Sequence, residues 1–446
     1  MPKPTVVYRC ANCDSQYPKW VGRCSECGKW GTVAVCAGVS VTKAQEFPST
    51  EPFKLIKGGA FSKRVSMGFK EVDRVTGGGL VEGSVVLLSG EPGVGKSTLV
   101  LQLADRFTGP VLYASGEESA EQVALRLERL KLKQENISFL NESTIEIVLG
   151  TALKTKPALL IIDSVQTLSS NEVDGIAGNI NQVKAVTAKL VEAAKAHKIC
   201  TLVVGQVTKG GGVAGPKTLE HLVDVVLNLE GDPAGSIRLL KAAKNRFGSA
   251  DEVGVFQMTE QGLEEVANPS AVFLSARHQG PGSCIASLTE GSRSFLIEVQ
   301  ALVTRTNFGY PRRNTAGFDF NRLQLLLAVL SERASVRLSS SDVYVNLVGG
   351  IKSKEPSLDL AVCLALASAQ RKKALPESML AVGEVGLGGE VRPVGDLTKR
   401  LAEASSLGLE QVITAQLKSK TKIPPGIKII EVLTVAEAVT WLDDQV

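Results

Sequence analysis

A glycine-rich segment at residues 90–97 has the residue types and spacing of a phosphate-binding loop. The pattern G-x-x-x-x-G-K-[ST] is matched at every fixed position by Gly90-Glu91-Pro92-Gly93-Val94-Gly95-Lys96-Ser97, and Thr98 follows it. In such a loop the glycines let backbone N–H groups face phosphate oxygens, the lysine reaches the β- and γ-phosphates, and the serine hydroxyl holds Mg²⁺. Residues 90–98 are therefore predicted to bind ATP with Mg²⁺.

The flanking sequence predicts the strand and the helix that must hold this loop. Residues 85–89 form a short apolar run typical of a buried strand, and Leu99, Leu103 and Phe107 recur afterwards at helical spacing. The helix N-terminus adds partial positive charge beside the phosphates. A chance glycine-rich turn before a core helix is the alternative, and the complete motif in its required context disfavours it.

Acidic residues follow two further apolar runs. Asp163 ends the run 158–162, which is typical of a Walker B strand whose carboxylate organises Mg²⁺ and its waters. Glu117 and Glu118 follow the run 111–115, where a carboxylate beside the phosphate loop is placed to activate the attacking water. The alternative role for either glutamate is to stabilise the N-terminus of the next helix.

Polar and basic residues end two later strands. Gln206 follows the run 200–204, where an amide can sense the γ-phosphate and signal to the glycine- and lysine-rich loop 209–217, which suits contact with a nucleic-acid backbone. Lys244 and Arg246 are two residues apart on a strand and so point to the same face. Because they follow the last core strands of their own subunit, a neighbouring subunit's nucleotide is their preferred target. A solvated basic turn is the alternative.

Four cysteines near the N-terminus have the spacing of a structural zinc site. Cys10, Cys13, Cys24 and Cys27 form two C-x₂-C pairs, and four thiolates at this spacing can close a tetrahedron around Zn²⁺. A redox pair is the disfavoured alternative. Cationic and aromatic residues surround these cysteines, namely Arg9, Lys19, Arg23, Lys29, Tyr17, Trp20 and Trp30. They can bind phosphates and stack on bases, or they can equally cover a small core. Contact with DNA and contact with protein therefore both stay open.

Length and composition indicate a globular protein of several domains. The chain has 446 residues, a net charge of +4 that is too small to indicate nucleic-acid binding, and no apolar run long enough to span a membrane. The N-terminus lacks the apolar core of a signal peptide. A phosphate loop combined with scattered cysteines predicts a cytoplasmic protein.

Composition shifts divide the chain into four predicted segments. Residues 1–36 form a C4 zinc finger, 37–57 a linker, 58–270 an α/β ATPase domain with a mainly parallel sheet, and 271–446 a second, mixed α/β domain. A stretch of proline and glycine at 280–282 lies near the start of the last segment.

Together these motifs closely resemble the RadA (Sms) family of bacterial DNA repair proteins along the whole chain. The resemblance rests on the cysteine finger, a RecA-like ATPase core, the signature Lys244-Asn245-Arg246-Phe247-Gly248, and a C-terminal domain like that of Lon proteases. It implies a DNA-dependent ATPase and hexameric, ring-shaped helicase of the DnaB type. It also implies binding of single-stranded and branched DNA, processing of recombination intermediates, and work with a RecA-type recombinase.

The same resemblance assigns roles to single residues. It makes Glu117, rather than Glu118, the catalytic glutamate, and Gln206 the sensor before a DNA-contacting loop. It also supports Lys244 and Arg246 as residues acting on the neighbouring subunit's nucleotide.

The resemblance to Lon proteases raises the question of peptidase activity. Ser357 falls on the Lon nucleophile, but Thr398 occupies the position of the lysine that takes its proton, and Lys399 comes one residue later. On a helix one step rotates a side chain by roughly 100°. The domain is therefore predicted to be a non-proteolytic scaffold for the ring and for DNA.

Two other functions compete with a DNA-dependent motor. One is an ATP-dependent serine peptidase with a substrate-recognising zinc finger, which the missing lysine disfavours. The other is a nucleotide-switched assembly protein that loads recombination factors without translocating, and only strand-displacement kinetics distinguish it from a motor.

Overall fold

The computed structural model describes most of the chain, namely residues 7–13, 15–17, 19–36, 64–206, 219–231, 235–275, 277–306, 310–417 and 421–445. The chain divides into two compact units, Met1–Ala60 and Phe61–Val446. The predicted linker at 37–57 and the predicted DNA-contacting loop at 209–217 lie outside the described residues.

The first unit contains a three-stranded antiparallel sheet. Its strands are β1 (Val7–Cys10), β2 (Gln16–Tyr17) and β3 (Val33–Cys36), with β1 in the middle. The buried apolar cluster is small, because only Cys10, Cys24 and Val33 are fully buried in it. So small a core cannot stabilise a fold alone, and a bound metal would supply most of the folding free energy.

The second unit begins with a nine-stranded sheet. After a short pair, β4 (Arg64–Val65) and β5 (Leu80–Val81), its strands are β6 (Val85–Gly90), β7 (Val111–Ser115), β8 (Ile137–Asn141), β9 (Leu159–Ile162), β10 (Cys200–Gln206), β11 (Val225–Glu230), β12 (Ile237–Asn245), β13 (Val253–Thr259) and β14 (Gly262–Glu265). The spatial order is β14-β13-β12-β11-β6-β10-β9-β7-β8. The strands from β11 to β8 are parallel, whereas β12, β13 and β14 extend the sheet in antiparallel fashion.

Helices cover both faces of this sheet. They are α1 (Lys70–Thr76), α2 (Lys96–Arg106), α3 (Ala120–Arg129), α4 (Ile145–Thr155) and α5 (Ile180–His197). Residues of α2 and α3 share one apolar cluster and residues of α4 and α5 share another, so each face of the sheet has its own core. Two covered faces explain why β6 is buried at every position and reads as a continuous apolar run. The predicted α/β class is confirmed.

One expectation about strand order is wrong. Lys244 and Arg246 do not follow the last core strands, because β13 and β14 come later in the chain and pair onto β12. The apolar positions of β13, such as Val255 and Phe256, are buried and extend the sheet beyond β12.

A second, seven-stranded mixed sheet forms the C-terminal part of this unit, in the order β17-β18-β16-β15-β19-β22-β23. The strands, including the separate pair β20 and β21, are β15 (Ser283–Glu290), β16 (Arg293–Arg305), β17 (Arg313–Ala316), β18 (Ser341–Leu347), β19 (Met379–Val382), β20 (Glu384–Val385), β21 (Val391–Arg392), β22 (Gln411–Ala415) and β23 (Lys428–Val432). The helices are α6 (Pro269–Leu274), α7 (Phe320–Arg333), α8 (Asp359–Arg371), α9 (Leu397–Ser406) and α10 (Val435–Asp444). Helix α8 is apolar on all sides and is buried from Asp359 to Ser368, as such a helix must be.

The two sheets of this unit share a core. Ile237 and Val255 of the first sheet belong to the same buried cluster as Phe295 and Ile297 of the second. Helix α6 spans the predicted boundary at 270/271 and contributes Phe273 to that cluster, so the division into 58–270 and 271–446 stays a prediction. No helix in the described part of the chain is both long and apolar enough to cross a membrane.

Candidate nucleotide and metal sites

The phosphate loop connects β6 to α2 in the middle of the first sheet. Strand β6 ends at Gly90 and α2 begins at Lys96, so the motif occupies the turn at the carboxyl end of a parallel strand. Gly93 and Gly95 have φ angles of +76° and +109°, and a Cβ at Gly95 would lie 2.5 Å from Cε of Met258. The positive φ therefore favours glycine at position 95, whereas the contact is with the flexible end of a methionine side chain.

Lys96 lies inside this loop. Its side-chain Nζ donates hydrogen bonds to the carbonyl oxygens of Gly90 and Glu91, each at 3.0 Å, and the residue is only 7% exposed. Burial lowers the pKa of the Lys96 ammonium, and the nearby Asp163 carboxylate opposes this effect. A cation confined at the centre of a ring of backbone groups is suited to binding phosphate oxygens.

Asp163 immediately follows β9, which is separated from β6 only by β10. The hydroxyl group of Tyr113 donates a hydrogen bond of 2.7 Å to Oδ2 of Asp163. Burial, and next the charge of Asp163, raise the pKa of Tyr113 well above its usual range, so the hydroxyl stays a donor. This bond fixes the orientation of a carboxylate that is predicted to organise Mg²⁺.

Glu117 and Glu118 follow β7 but have different surroundings. The Glu118 carboxylate forms an ion pair with Arg126 of α3, and its side chain is 24% exposed. Glu117 is exposed, and none of the hydrogen bonds or ion pairs found among the described residues involves its carboxylate. Helix α3 begins with a capping box formed by Ser119 and Gln122.

Gln206 is the last residue of β10 and pairs with Gly90 of β6, so it lies beside the phosphate loop. The amide Nε2 of Gln166 donates a hydrogen bond of 3.3 Å to the Gln206 carbonyl oxygen. The hydroxyl oxygen of Ser164 and Oε1 of Gln166 are buried and have no partner within the described part of the chain. Together they mark a polar region beside Asp163 and Gln206.

Lys244, near the end of β12, and Arg246, just after it, lie towards the amino end of β6, away from this loop. The Nζ of Lys244 donates to the carbonyl oxygens of Glu220 and Val223 at 2.7 and 2.9 Å. Arg246 forms an ion pair of 3.3 Å with Asp224, whose other carboxylate oxygen accepts a hydrogen bond from the backbone N–H of Val85 at the start of β6.

Because β6 runs from Val85 to the loop, its length of about 17 Å separates the Arg246–Asp224 pair from the loop, whereas Lys244 lies level with Leu87 in the middle of β6. Burial lowers the pKa of Lys244, and the neighbouring charge of Arg246 acts in the same direction. The side chain of Arg246 is 49% exposed, so it remains accessible to another molecule.

The four cysteines of the first unit converge. The Sγ atoms of Cys10, Cys13, Cys24 and Cys27 all lie within 4.8 Å of one another. Zinc bonded tetrahedrally to four thiolates at about 2.3 Å requires a cluster of this size. A hydrogen bond from the hydroxyl group of Tyr17 lowers the pKa of Cys24 to about 6.

The aromatic residues of this unit divide between core and surface. Tyr17 packs against the small core, whereas Trp20 and Trp30 are 61% and 75% exposed. The Trp20 indole nevertheless donates a hydrogen bond of 3.0 Å to the carbonyl oxygen of Val33, so covering the core and contacting a partner both stay open for these rings.

Ser357 of the second sheet's domain has partners that the sequence did not suggest. Its hydroxyl group donates to the carbonyl oxygen of Ser287 at 3.0 Å and accepts a hydrogen bond of 3.3 Å from Arg400 of α9. Arg400 is 2% exposed and also forms an ion pair with Glu355.

Thr398, which the Lon resemblance placed at the lysine position, is exposed instead. Lys399 is 53% exposed and its Nζ lies 3.4 Å from Asp396. Helix α9 begins at Leu397, and this register directs residue 400, not 398 or 399, towards the serine.

Comparisons with known proteins cover the whole chain. Curated DNA repair proteins named RadA are similar to it: that of Aquifex aeolicus is 43% identical over 99% of this chain and all of the relative, and that of Pseudomonas aeruginosa is 42% identical over the same shares. The RadA of Mycolicibacterium smegmatis is 44% identical over 97% of this chain and 96% of its own. This chain belongs to the RadA family of DNA repair proteins.

Family models match three parts of the chain. They are described as an AAA domain (residues 60–212), a rubredoxin metal-binding domain (8–34) and subunit ChlI of Mg-chelatase (321–417). A solved structure of the KaiC-like protein PH0186 from Pyrococcus horikoshii OT3 covers 46% of this chain and 99% of its own, at 20% identity and a TM-score of 0.39.

Membership in the RadA family, with the geometry above, establishes the main activities. The chain is an ATP-hydrolysing DNA repair protein that uses ATP and Mg²⁺ and holds Zn²⁺ in its cysteine cluster. The residues that fit the zinc ion are the four convergent thiols, and those that fit nucleotide and Mg²⁺ are the loop, Ser97 and Asp163.

Two buried polar residues were missed by the sequence analysis. Tyr113 lies within an apolar strand, where periodicity gives no signal for a functional hydroxyl group. Arg400 did leave a signal, because it shares the spacing i, i+3, i+4, i+7 with Leu397, Leu401 and Ala404 and so falls on the buried face of α9.

Proposed function

We propose that this RadA-family chain is a DNA-dependent ATPase that assembles into a hexameric ring and moves along single-stranded DNA as a helicase of the DnaB type. Its substrates are branched recombination intermediates, and a RecA-type recombinase is its working partner. The described cysteines form no disulfide, which supports a reducing cytoplasm as its compartment.

The observation that carries this proposal is the separation of the phosphate loop from Lys244 and Arg246. Arg246 pairs with Asp224 beside Val85, so the length of β6, about 17 Å, separates it from a nucleotide bound to the same chain. Lys244 bonds to the backbone of the adjoining segment at Glu220 and Val223. Arg246 is half-exposed there. A neighbouring subunit whose phosphate loop faces this part of the sheet would receive both cations, and repeating the contact closes a ring.

Within each ATP site the residues have distinct proposed roles. Lys96 and residues 90–98 hold the phosphates, and Ser97 and Asp163 hold Mg²⁺. Glu117 activates the attacking water, which its exposed and unpaired carboxylate supports, while Glu118 is engaged with Arg126. Gln206, beside Gly90, passes the state of the γ-phosphate to the loop that follows it.

The C-terminal domain is proposed to be a non-proteolytic scaffold. Arginine stays protonated in proteins and cannot act as a base, so Arg400 cannot take the proton of Ser357. The hydroxyl group of Ser357 is already bonded to the carbonyl oxygen of Ser287, and Lys399 is paired with Asp396. These contacts disfavour the peptidase alternative.

Strand displacement tests the proposed motor directly. ATP hydrolysis is measured with and without single-stranded DNA, and release of a labelled strand from a synthetic fork is then followed with ATP. A motor is expected to show stimulated hydrolysis and ATP-dependent release that a Lys96→Ala variant lacks. Stimulated hydrolysis without strand release would favour the nucleotide-switched assembly protein instead.

A further inference from the structure

Arg238 contacts the phosphate loop from outside, at the beginning of β12. Its Nε donates a hydrogen bond of 2.9 Å to the carbonyl oxygen of Val94, the residue before the last glycine of the loop. Its Nη1 donates to the carbonyl oxygens of Gly235 and Ile237 at 2.6 and 2.9 Å. The residue is only 3% exposed, so this guanidinium is fixed by the strand that carries it.

The bond to Val94 determines where the next N–H group points. In a planar trans peptide the carbonyl of one residue and the N–H of the next point in opposite directions. When Arg238 holds the Val94 carbonyl outward, the N–H of Gly95 is directed into the loop, where phosphate oxygens bind. Gly95 itself gives no resistance to rotation, because its φ of +109° belongs to a region that glycine enters freely.

Lys96 and Arg238 hold the loop from opposite sides. Nζ of Lys96 donates to the carbonyl oxygens of Gly90 and Glu91 from inside the loop. Phosphate oxygens bound in the loop would compete with these carbonyl groups for the Lys96 ammonium. The outer bond from Arg238 to Val94 does not compete with phosphate and is able to persist.

We infer that Arg238 is a positioning residue for ATP binding, which keeps the N–H of Gly95 directed at the phosphates. The inference rests on the proposed role of residues 90–98 as the ATP site. The two ends of β12 then have different functions, since Arg238 near its start supports the chain's own loop and Lys244 lies near its other end. Arg238 touches neither nucleotide nor Mg²⁺ in this role.

The test compares Arg238→Gln with Arg74→Gln. Arg74 is a matched control, because it is a partly buried arginine of the same unit that also donates to a backbone carbonyl, that of Val253, and has no contact with the loop. ATP and ADP affinities are measured by titration with fluorescent analogues, and KM and kcat by ATP hydrolysis. Arg238→Lys is included in case the glutamine variant does not fold, because lysine retains the positive charge and the aliphatic part of the side chain.

Arg238→Gln is expected to weaken binding of ATP and ADP alike by about tenfold and to raise KM equally, since a hydrogen bond from a charged donor is worth at least that factor. The kcat at saturating ATP should stay within about threefold, because Arg238 acts on binding and not on the reacting atoms. Arg238→Lys should raise KM by a smaller factor, and Arg74→Gln should leave KM unchanged. Thermal unfolding of each variant separates lost binding from lost folding.

An unchanged KM in the folded Gln or Lys variant, or an equal rise in Arg74→Gln, overturns the inference. Lys96→Ala keeps the two proposals apart. If Lys96→Ala abolishes nucleotide binding while Arg238 variants bind normally, only the role of Arg238 fails. If Lys96→Ala binds normally, the assignment of residues 90–98 as the ATP site fails.

Discussion

Glu117 and Glu118 are neighbours in the chain whose carboxylates have different partners. Glu118 is tied to Arg126, and Glu117 is exposed beside the phosphate loop. Glu117→Gln preserves size and hydrogen bonding but removes the base, so ATP should still bind while the turnover rate falls about a hundredfold or more. Nucleotide titration and steady-state hydrolysis on the same preparation measure the two effects.

Glu118→Gln is the matched control at this position. It removes the ion pair with Arg126 of α3 and should mainly affect stability, by about 1 kcal/mol, since both side chains are partly exposed. If Glu118→Gln blocks hydrolysis with intact ATP binding and Glu117→Gln does not, the assignment of the base is reversed.

Helix α9 is the element whose register decides the chemistry of the C-terminal domain. Arg400→Ala should destabilise the chain by about 3 kcal/mol, because it leaves the Glu355 carboxylate without its buried cationic partner. Lys399→Ala, one residue away and exposed, should change the free energy of unfolding by less than about 0.5 kcal/mol. Urea denaturation followed by circular dichroism measures both.

Peptidase activity tests independently whether the register of α9 leaves Ser357 without a base. Neither wild type nor Ser357→Ala should cleave casein in the presence of ATP. ATP-dependent cleavage lost in Ser357→Ala would show that a base reaches this serine despite the contact with Arg400.

The three-stranded sheet of the first unit depends on its metal. One zinc per chain is expected by metal analysis of protein purified without chelator. Chelation should unfold this sheet, because its buried cluster is too small to fold alone, and the resulting change in Trp20 and Trp30 fluorescence should be reversed by added Zn²⁺. A disulfide between Cys10 and Cys27, or no bound metal, would contradict the assignment.

At the scale of the whole molecule, activity should depend on contact between subunits. Arg246→Ala should bind ATP nearly normally yet lose most DNA-stimulated hydrolysis, since a cation supplied in trans is worth roughly 10³–10⁵ in rate in nucleotide hydrolases. Mixing it with Lys96→Ala, also inactive alone, creates interfaces that join an intact loop from one variant to an intact Arg246 from the other. Partial recovery of hydrolysis in the mixture is the expected result.

The mixed ring needs its own control. Co-purification of differently tagged variants shows whether mixed assemblies form. No recovery in assemblies shown to be mixed would mean that Arg246 acts locally, through its ion pair with Asp224.

The sequence by itself determined the features that depend on local chemistry. The phosphate loop, its strand and helix, and the cysteine spacing are set by residues close together in the chain, where glycine conformation and ligand spacing leave few alternatives. The fold class followed for the same reason, since apolar strands alternating with helices favour a covered parallel sheet.

Tertiary structure decided which side chains meet across the sheet. Only the strand order reveals that Arg246 lies near the amino end of β6, away from the loop. This follows because β12 runs antiparallel to β11 and so returns towards the start of β6. The contacts of Tyr113 with Asp163, Arg238 with Val94 and Arg400 with Ser357 each join residues more than forty positions apart. Such pairs depend on register and packing, which no local pattern of residue types encodes.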